Sequence, residues 1–400
     1  MRKILAFLVL AGVALAAGSR PKVRAITAFI NIDAQHYEAQ YAETMRFLDS
    51  ARAAYQAAGF EVQGVRIATQ PFPRYIGGMK PEEALAFLHK LDELATRLKF
   101  APNIGAAMVA DDDSTATLDT LAHALATTRL NASLVIAGED GIHWRALGEA
   151  ARLIKKVAAL SPHGRGNLNF AATAMVKPYG PFYPGAYHLG AGRTFAIGLE
   201  GAGVVAEVFA QYHEPREAQK QLTAVLAGHL RDVEAVATKI AARSGWSYAG
   251  IDPTPAPLGE VSIGRAIESL IGAPFGSSGT LTAARIITAS VQAAPVKRTG
   301  YSGLMVPILE DHVLAWRWAE GTFNLDSLLA YSAVCAGGLD TVPLPGDISE
   351  ERLARILGDV ASLAYKWNKP LAARLLPVPG GKPGDRTDFG DPRMSDTIIR

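Results

Sequence analysis

Arg24-Ala-Ile-Thr-Ala-Phe-Ile-Asn-Ile32 is a short, mostly apolar run that predicts a buried β-strand. The segment after it predicts a helix, because Tyr41, Met45, Leu48 and Tyr55 fall on one helical face. The alternation continues, with strands expected at 60–69, 103–110, 132–137 and 168–176 and helices at 81–99, 118–130 and 143–160. Parallel strands need crossover helices between them, so this order predicts an α/β protein with a parallel sheet or barrel.

A long aromatic loop interrupts this order at 178–192, where glycines and prolines alternate with tyrosines, a phenylalanine and His188. The loop is longer than a simple connection, so we expect it to form one wall of a pocket. Beyond it the sequence predicts a strand at 194–199 and helices at 214–243, 261–270, 280–292, 310–320, 325–334 and 349–366. No internal repeat or linker divides the chain, and residues 24–400 are expected to form a single α/β domain.

The composition favours small-molecule partners. The 400 residues are 49% hydrophobic and carry Lys+Arg 40 against Asp+Glu 38, a formal net charge of +2 without a long run of one sign. No nucleic-acid footprint is therefore expected. The single cysteine, Cys335, excludes an intramolecular disulfide and metal sites built from cysteines alone.

The N-terminus has the pattern of a secretory signal peptide. Arg2 and Lys3 precede an apolar run from Ile4 to Ala17 that ends in small residues and is short for a membrane span. Residues 1–17 are therefore predicted to be a signal peptide, which makes the protein periplasmic or extracellular. The alternatives are an uncleaved membrane anchor, or a start codon placed too far upstream of a cytoplasmic protein.

Phe275-Gly-Ser277-Ser-Gly-Thr-Leu281 precedes a predicted helix and offers a nest of N–H groups to an anion, with Ser277 as a substrate-binding candidate. An ordinary glycine turn followed by a helix cap explains the same residues. The motif lacks a Walker lysine, so NTP hydrolysis is not supported.

Thiol, hydroxyl and carboxyl groups are densest at Cys335-Ala-Gly-Gly-Leu-Asp340-Thr341-Val-Pro-Leu-Pro-Gly-Asp347. This stretch predicts a proline-braced loop after a helix, and preorganised polar groups on a rigid loop are what a catalytic site requires. A structural turn with Cys335 buried and Asp347 capping the next helix is an equal alternative.

Pro307-Ile-Leu-Glu310-Asp311-His312 places three titratable groups in adjacent positions. Neighbours in a helix do not face one another, so at most one or two of them can reach the same site. Glu310 with Asp311 could serve as metal ligands or as a general acid and base, and a helix cap explains them equally well.

Together these segments resemble the uncharacterised protein family called domain-of-unknown-function family seven hundred and eleven. The resemblance is carried from Arg24 onward by the following segments: Gln63–Thr69, Tyr183-Pro-Gly-Ala-Tyr187-His188, Phe195–Glu200, Pro253-Thr-Pro255, Ser262–Glu268, Gly276–Leu281, Gly303–Asp311 and Cys335–Asp347. It implies a barrel of about ten strands of mixed direction, similar to those of pyruvate formate-lyase and ribonucleotide reductase, and a homodimer. It implies no established reaction.

Radical chemistry does not fit this sequence. A radical lyase needs a glycyl-radical motif near its C-terminus and an active-site thiol, and a reductase needs further redox cysteines. Cys335 is alone, and the tail Val378-Pro-Gly-Gly-Lys-Pro-Gly-Asp385 lacks the arginine and aromatic setting of that motif. The expectation is a barrel that kept its pocket and lost the radical.

The first hypothesis is a non-radical enzyme that acts on a small polar or anionic metabolite in the barrel mouth. Its candidate residues, by role, are Cys335, Asp340, Asp347, His188 and Glu310 for catalysis, Glu200, Arg265, Ser262, Ser277 and Thr341 for substrate binding, and Glu310, Asp311 and Asp347 for one divalent metal. The second hypothesis is an exported binding protein that holds a small molecule without turnover. A purely structural dimer, with the carboxylates as helix caps, is a third.

Overall fold

The computed structural model describes residues 19–335 and 337–400. The predicted signal peptide at 1–17 lies outside these residues. Within the described part of the chain, no helix combines the length and the apolar character that crossing a bilayer requires.

Strands and helices alternate through most of the chain, as the hydrophobic pattern predicts. The strands are β1 Lys22–Ile30, β2 Val65–Thr69, β3 Ala101–Ala106, β4 Asn131–Gly138, β5 Gly141–Ile142, β6 Phe170–Ala174, β7 Thr194–Glu200, β8 Ser247–Ala256, β9 Gly338–Pro345 and β10 Leu371–Val378. The helices are α1 Tyr37–Ala57, α2 Pro73–Ile76, α3 Pro81–Leu98, α4 Leu118–Thr127, α5 Trp144–Leu160, α6 Ala202–Gln211, α7 Pro215–Ser244, α8 Ile263–Ile271, α9 Thr280–Gln292, α10 His312–Glu320, α11 Leu325–Ser332 and α12 Glu350–Trp367. Short 3₁₀ segments cover Pro162–Asn169 and Ile308–Glu310.

The strands form one ten-stranded sheet in the order β8-β7-β1-β2-β3-β4-β6-β10-β9, with β5 paired to β4. Neighbouring strands from β1 to β6 along this order are parallel. The sheet reverses direction between β1 and β7 and again between β6 and β10. The mixed α/β architecture and the strand count therefore confirm the coarse expectation from the sequence.

The two faces of the sheet have different coverings, because successive side chains of a strand point to opposite faces. On one face, Ile26, Ala28 and Ile30 of β1 join the main hydrophobic core together with helix residues such as Leu48. The helices thus pack on this face and bury its apolar side chains. Burial of apolar surface is the dominant favourable term in the free energy of folding.

The other face is covered by the aromatic loop, residues 178–192. The Thr27 hydroxyl of β1 donates to the Pro181 carbonyl at 2.9 Å, and the Asn103 amide of β3 donates to the Pro184 carbonyl at 2.7 Å. The His188 N–H donates to the Thr69 carbonyl of β2 at 3.0 Å. The loop therefore crosses several strands and lies against the same face as their polar side chains.

A third segment touches both edge strands of the sheet. Ile251 of β8 forms an isolated bridge with Arg298, and Asp340 of β9 forms one with Pro307. Residues 298–307 therefore run from one edge strand to the other.

One prediction from the sequence was wrong at Cys335–Asp347. The expected proline-braced loop is largely strand β9, Gly338–Pro345, which pairs in parallel with β10. Prolines are tolerated there because β9 ends the strand order and is irregular in its middle.

Candidate functional site

Six charged side chains gather on the face that the aromatic loop covers. We call them the charged cluster, and they are Arg24 of β1, Arg66 of β2, Glu200 of β7, Glu310 of the second 3₁₀ segment, Asp340 of β9 and Arg374 of β10. Five strands and one connecting segment thus contribute to one site. Charges of both signs are equal in number, which reduces the cost of placing them out of water.

Arg24 connects two of the carboxylates. Its Nη1 lies 3.6 Å from Glu200 Oε2, and its Nη2 lies 3.2 Å from Glu310 Oε2. Gln63 Nε2 donates a hydrogen bond to Glu200 Oε2 at 2.5 Å. Glu200 is therefore held by Arg24 of β1 and by Gln63 in the segment that precedes β2.

Arg374 connects the other pair of carboxylates. Its Nη2 lies 2.6 Å from Glu310 Oε1, and its Nε lies 2.5 Å from Asp340 Oδ1. Because Glu310 also binds Arg24, it is the centre of the network. Charge-assisted bonds of this length are among the stronger ones in proteins.

Irregularities in strand pairing place these side chains. The register of β1 against β7 shifts between Val23 and Ala25, so Arg24 is the extra residue of a bulge. The register of β10 against β9 shifts around Arg374, opposite Asp340 and Thr341. Bulges commonly re-aim a side chain near a functional site.

Thr341 positions Glu310 through the backbone. It has the left-handed φ of 51°, which costs energy for a β-branched residue. Its hydroxyl accepts the Leu309 N–H at 3.0 Å, and Thr341 itself is fully buried. Thr341 is thus a support of the cluster, although the sequence suggested a substrate contact.

Arg66 differs from the other two arginines of the cluster. Its guanidinium stacks 4.9 Å from the ring centre of Tyr183 and donates one hydrogen bond, from Nη1 to the Pro181 carbonyl at 3.3 Å. Among residues 19–335 and 337–400, no carboxylate lies within ion-pair distance of it. A guanidinium has five N–H donors, so Arg66 has capacity for another acceptor.

Burial lowers the pKa of Arg66 to about 10, and the nearby positive charge of Arg24 acts in the same direction. The side chain still carries its charge at neutral pH, because this value lies well above 7. An uncompensated, partly buried cation is a natural binding partner for an anion.

The two carboxylates on Arg374 have opposite pKa shifts. Burial raises the pKa of Asp340, and the attraction of Arg374 only partly offsets this. Burial acts in the same direction on Glu310, but the combined attraction of Arg374 and Arg24 outweighs it and lowers the pKa of Glu310. Environments that separate the pKa values of two neighbouring acids distinguish a proton donor from a proton acceptor.

The cluster keeps some contact with solvent. The Glu200 side chain is 5% exposed, and those of Arg24 and Glu310 are each 15% exposed. Gln63, which bonds to Glu200, is an exposed residue. The cluster is therefore buried but not fully sealed from solvent on this side.

Of the residues that the sequence suggested, the structure brings together Glu200, Glu310 and Asp340. Asp311 follows Glu310 in the chain and accepts a hydrogen bond from Ser262. Both residues have a structural role. The Asp311 carboxylate accepts bonds from the Ser262 hydroxyl at 2.6 Å and from the Ile263 and Val313 N–H groups at 2.7 Å and 3.0 Å. It therefore caps α8 and α10 together.

Other candidates lie away from the cluster. Arg265 and Asp347 are exposed, on α8 and after β9 respectively. Ser277 is in the turn before α9, where its N–H donates to the Pro274 carbonyl at 3.0 Å. Cys335 is buried, and burial raises the pKa of its thiol, so it is not a ready thiolate.

The carboxylates suggested as metal ligands do not converge. Glu310 is bound to two arginines, Asp311 caps two helices, and Asp347 is exposed. Across residues 19–335 and 337–400, no group of three or more His, Cys, Asp or Glu side chains is arranged to hold a metal ion.

His188 lies toward the carboxyl end of β2. Its backbone bonds to Thr69, three residues after Arg66 and therefore roughly 10 Å farther along the strand. The imidazole is fully buried, and neither ring nitrogen meets a partner among the described side chains and backbone groups. Burial lowers its pKa to about 4, so the ring is neutral at pH 7.

Sequence reasoning missed the three arginines as site residues, apart from Arg66 as part of a family motif. A signal was present, because Arg24, Arg66 and Arg374 each interrupt a short apolar strand. Charged residues inside buried strands are rare unless they are paired. Their partners lie far away in the sequence, which is why spacing alone did not connect them.

Comparison with known proteins gives one consistent result. A family model described as "Uncharacterised ACR (DUF711)" matches residues 16–391. A UPF0210 protein of Pyrobaculum arsenaticum is 34% identical over 288 residues, which cover 69% of this chain and 63% of that protein. A UPF0210 protein of Pyrobaculum aerophilum is 33% identical over 83% of this chain and 77% of its own length. A UPF0210 protein of Methanopyrus kandleri is 32% identical over 69% of this chain and 63% of its own length. These names state no reaction, and the alignments with the first and third span under two thirds of those proteins.

Proposed function

The chain belongs to the uncharacterised DUF711 family, and we propose that it is a non-radical enzyme that binds a small anionic metabolite at the charged cluster and acts on it by proton transfer. The observation that carries the proposal is Arg66: within the described part of the chain this cation makes one hydrogen bond, to a carbonyl, and no ion pair, whereas every carboxylate of the cluster is paired. A carboxylate or phosphate group would complete its bonding.

The acid and base are assigned to the two carboxylates on Arg374. Asp340, whose pKa burial raises, is the proton donor, and Glu310, whose pKa the two arginines lower, is the acceptor. Glu200, held by Arg24 and Gln63, orients the polar part of the substrate. No thiol takes part, because Cys335 is buried and its pKa is raised.

We also propose that the sheet closes into a barrel of the pyruvate formate-lyase and ribonucleotide reductase type. Three features support closure: helices pack on one face, the aromatic loop covers the other, and residues 298–307 bridge to both edge strands. In a barrel, the charged cluster would lie inside one mouth, which suits a small substrate.

Binding is tested by isothermal titration calorimetry with inorganic phosphate and with malonate, at constant ionic strength. The wild type should bind at least one of them, and Arg66→Gln should weaken that binding by about tenfold or more, since it removes a charge-assisted contact. Arg265→Gln is the matched control, because it removes an exposed arginine on α8. Equal affinity in R66Q and R265Q would refute the assignment.

Turnover separates the enzyme from a binding protein. Each of a panel of hydroxy, keto and amino acids and sugar phosphates is incubated with the protein and followed by proton NMR. Conversion that Asp340→Asn abolishes, while phosphate or malonate still binds, supports the proton-transfer assignment. Recovery of every compound unchanged, with anion binding intact, favours the alternative of an exported binding protein.

A further inference from the structure

The C-terminal residues 386–398 form a loop whose two ends are joined, which we call the strap. Arg386 and Ile398 form a bridge, the Thr387 N–H donates to the Thr397 carbonyl at 2.8 Å, and the Thr397 N–H donates to the Thr387 hydroxyl at 2.9 Å. Compact surface loops with adjoining ends are often functional.

The base of the strap is fixed on α10. The Thr397 hydroxyl donates to the Ala315 carbonyl at 2.6 Å, and Trp318 Nε1 donates to the Ile398 carbonyl at 2.9 Å. Within the loop, Phe389 is buried in the main hydrophobic core and Met394 packs against that core, so the strap is anchored there as well. The Ser395 N–H donates to the Leu309 carbonyl at 2.6 Å, which places the tip beside Glu310, the next residue after Leu309.

The tip carries an arginine next to the charged cluster. The Arg393 side chain is 74% exposed, and its ion-pair partner is Asp391 of the same strap, with Nη2 2.6 Å from Oδ2. The hydrogen bond to Asp391 and the charges of Asp391 and Glu310 raise the pKa of Arg393, while Arg374 opposes this. Arg393 is therefore within electrostatic reach of both Glu310 and Arg374.

We infer that the strap is a lid of the anion site and that Arg393 is a further ligand-binding residue, an inference that rests on the proposed function. Without ligand, Asp391 occupies the Arg393 guanidinium. A bound anion competes with Asp391, and Arg393 turns from the strap to the anion above Arg66. Gly390, with φ of 63°, lies between the buried Phe389 and this pair, so the pair can move while Phe389 stays in the core.

Two substitutions in the strap should act in opposite directions on phosphate affinity. Arg393→Gln should weaken binding by about tenfold, because it removes a charged donor. Asp391→Asn should strengthen binding at least about twofold, because it removes the competing charge but retains an oxygen that accepts the Arg393 N–H. The double variant should bind as weakly as R393Q, and Arg386→Gln at the base of the strap is the control.

Hydrogen–deuterium exchange supplies a second readout in the full-length protein. Saturating phosphate should slow exchange at 388–395 in the wild type and leave it unchanged in R393Q. If R66Q loses phosphate binding while R393Q and D391N bind like the wild type, the lid is refuted and the proposed function stands. If the wild type binds malonate but not phosphate, the same comparisons are made with malonate; if it binds neither anion, both the lid and the proposed function are refuted.

Discussion

At the scale of single residues, the cluster is defined by how its charges are compensated. Removing one partner of a buried ion pair leaves an uncompensated charge and costs several kcal/mol, so Arg24, Arg374 and their carboxylates support one another. Arg66 is the exception, because a carbonyl and an aromatic ring replace the missing carboxylate. The positive charge of Arg66 is therefore not balanced by a paired carboxylate, and for this reason we assign Arg66 as the residue that binds the anion.

His188 gives a prediction about pH. Its folded-state pKa of about 4 lies below the ordinary value of 6.5, so the unfolded chain binds the extra proton first as the pH falls. The wild type should lose about 2 kcal/mol of unfolding free energy between pH 7 and pH 4.5 relative to His188→Phe. Urea unfolding of both proteins at the two pH values measures the difference, and identical pH dependence would contradict the burial of a neutral ring.

At the scale of elements, most helix positions could be predicted from the sequence and several strands could not. The helix at 280–292 was predicted at its observed bounds, since its apolar periodicity is clear. Strands β8 and β9 were missed because Asp252-Pro-Thr-Pro255 and Pro343-Leu-Pro345 contain prolines, which argue against a central strand. The strand pairing shifts register in both places. Such shifts cannot be recognised from an alternation of apolar and polar residues with period two.

The β9 irregularity gives a prediction at this scale. Thr341→Val keeps the branched shape but removes the acceptor of the buried Leu309 N–H, so stability should fall by about 1–3 kcal/mol. Phosphate or malonate affinity should fall too, because Glu310 follows Leu309. Thr341→Ser retains the hydroxyl and is the control. If T341V matches T341S in urea unfolding and in calorimetry, Thr341 does not support the site.

At the scale of the whole molecule, the site depends on contacts between distant parts of the chain. Arg24 and Glu310 are 286 residues apart, and no local motif connects them. The sequence could therefore suggest Glu200, Glu310 and Asp340 singly, whereas their common location required the sheet order. The homodimer and the export by residues 1–17 remain predictions.

The most direct test is a crystal structure of the protein soaked in selenate, with anomalous data collected at the selenium edge. Selenate is a tetrahedral anion that scatters anomalously, so its position is read without ambiguity. We expect an anomalous peak within hydrogen-bond distance of the Arg66 guanidinium, on the side facing Arg24 and Arg374. Peaks confined to other parts of the surface, with Arg66 unoccupied at saturating selenate, would contradict it.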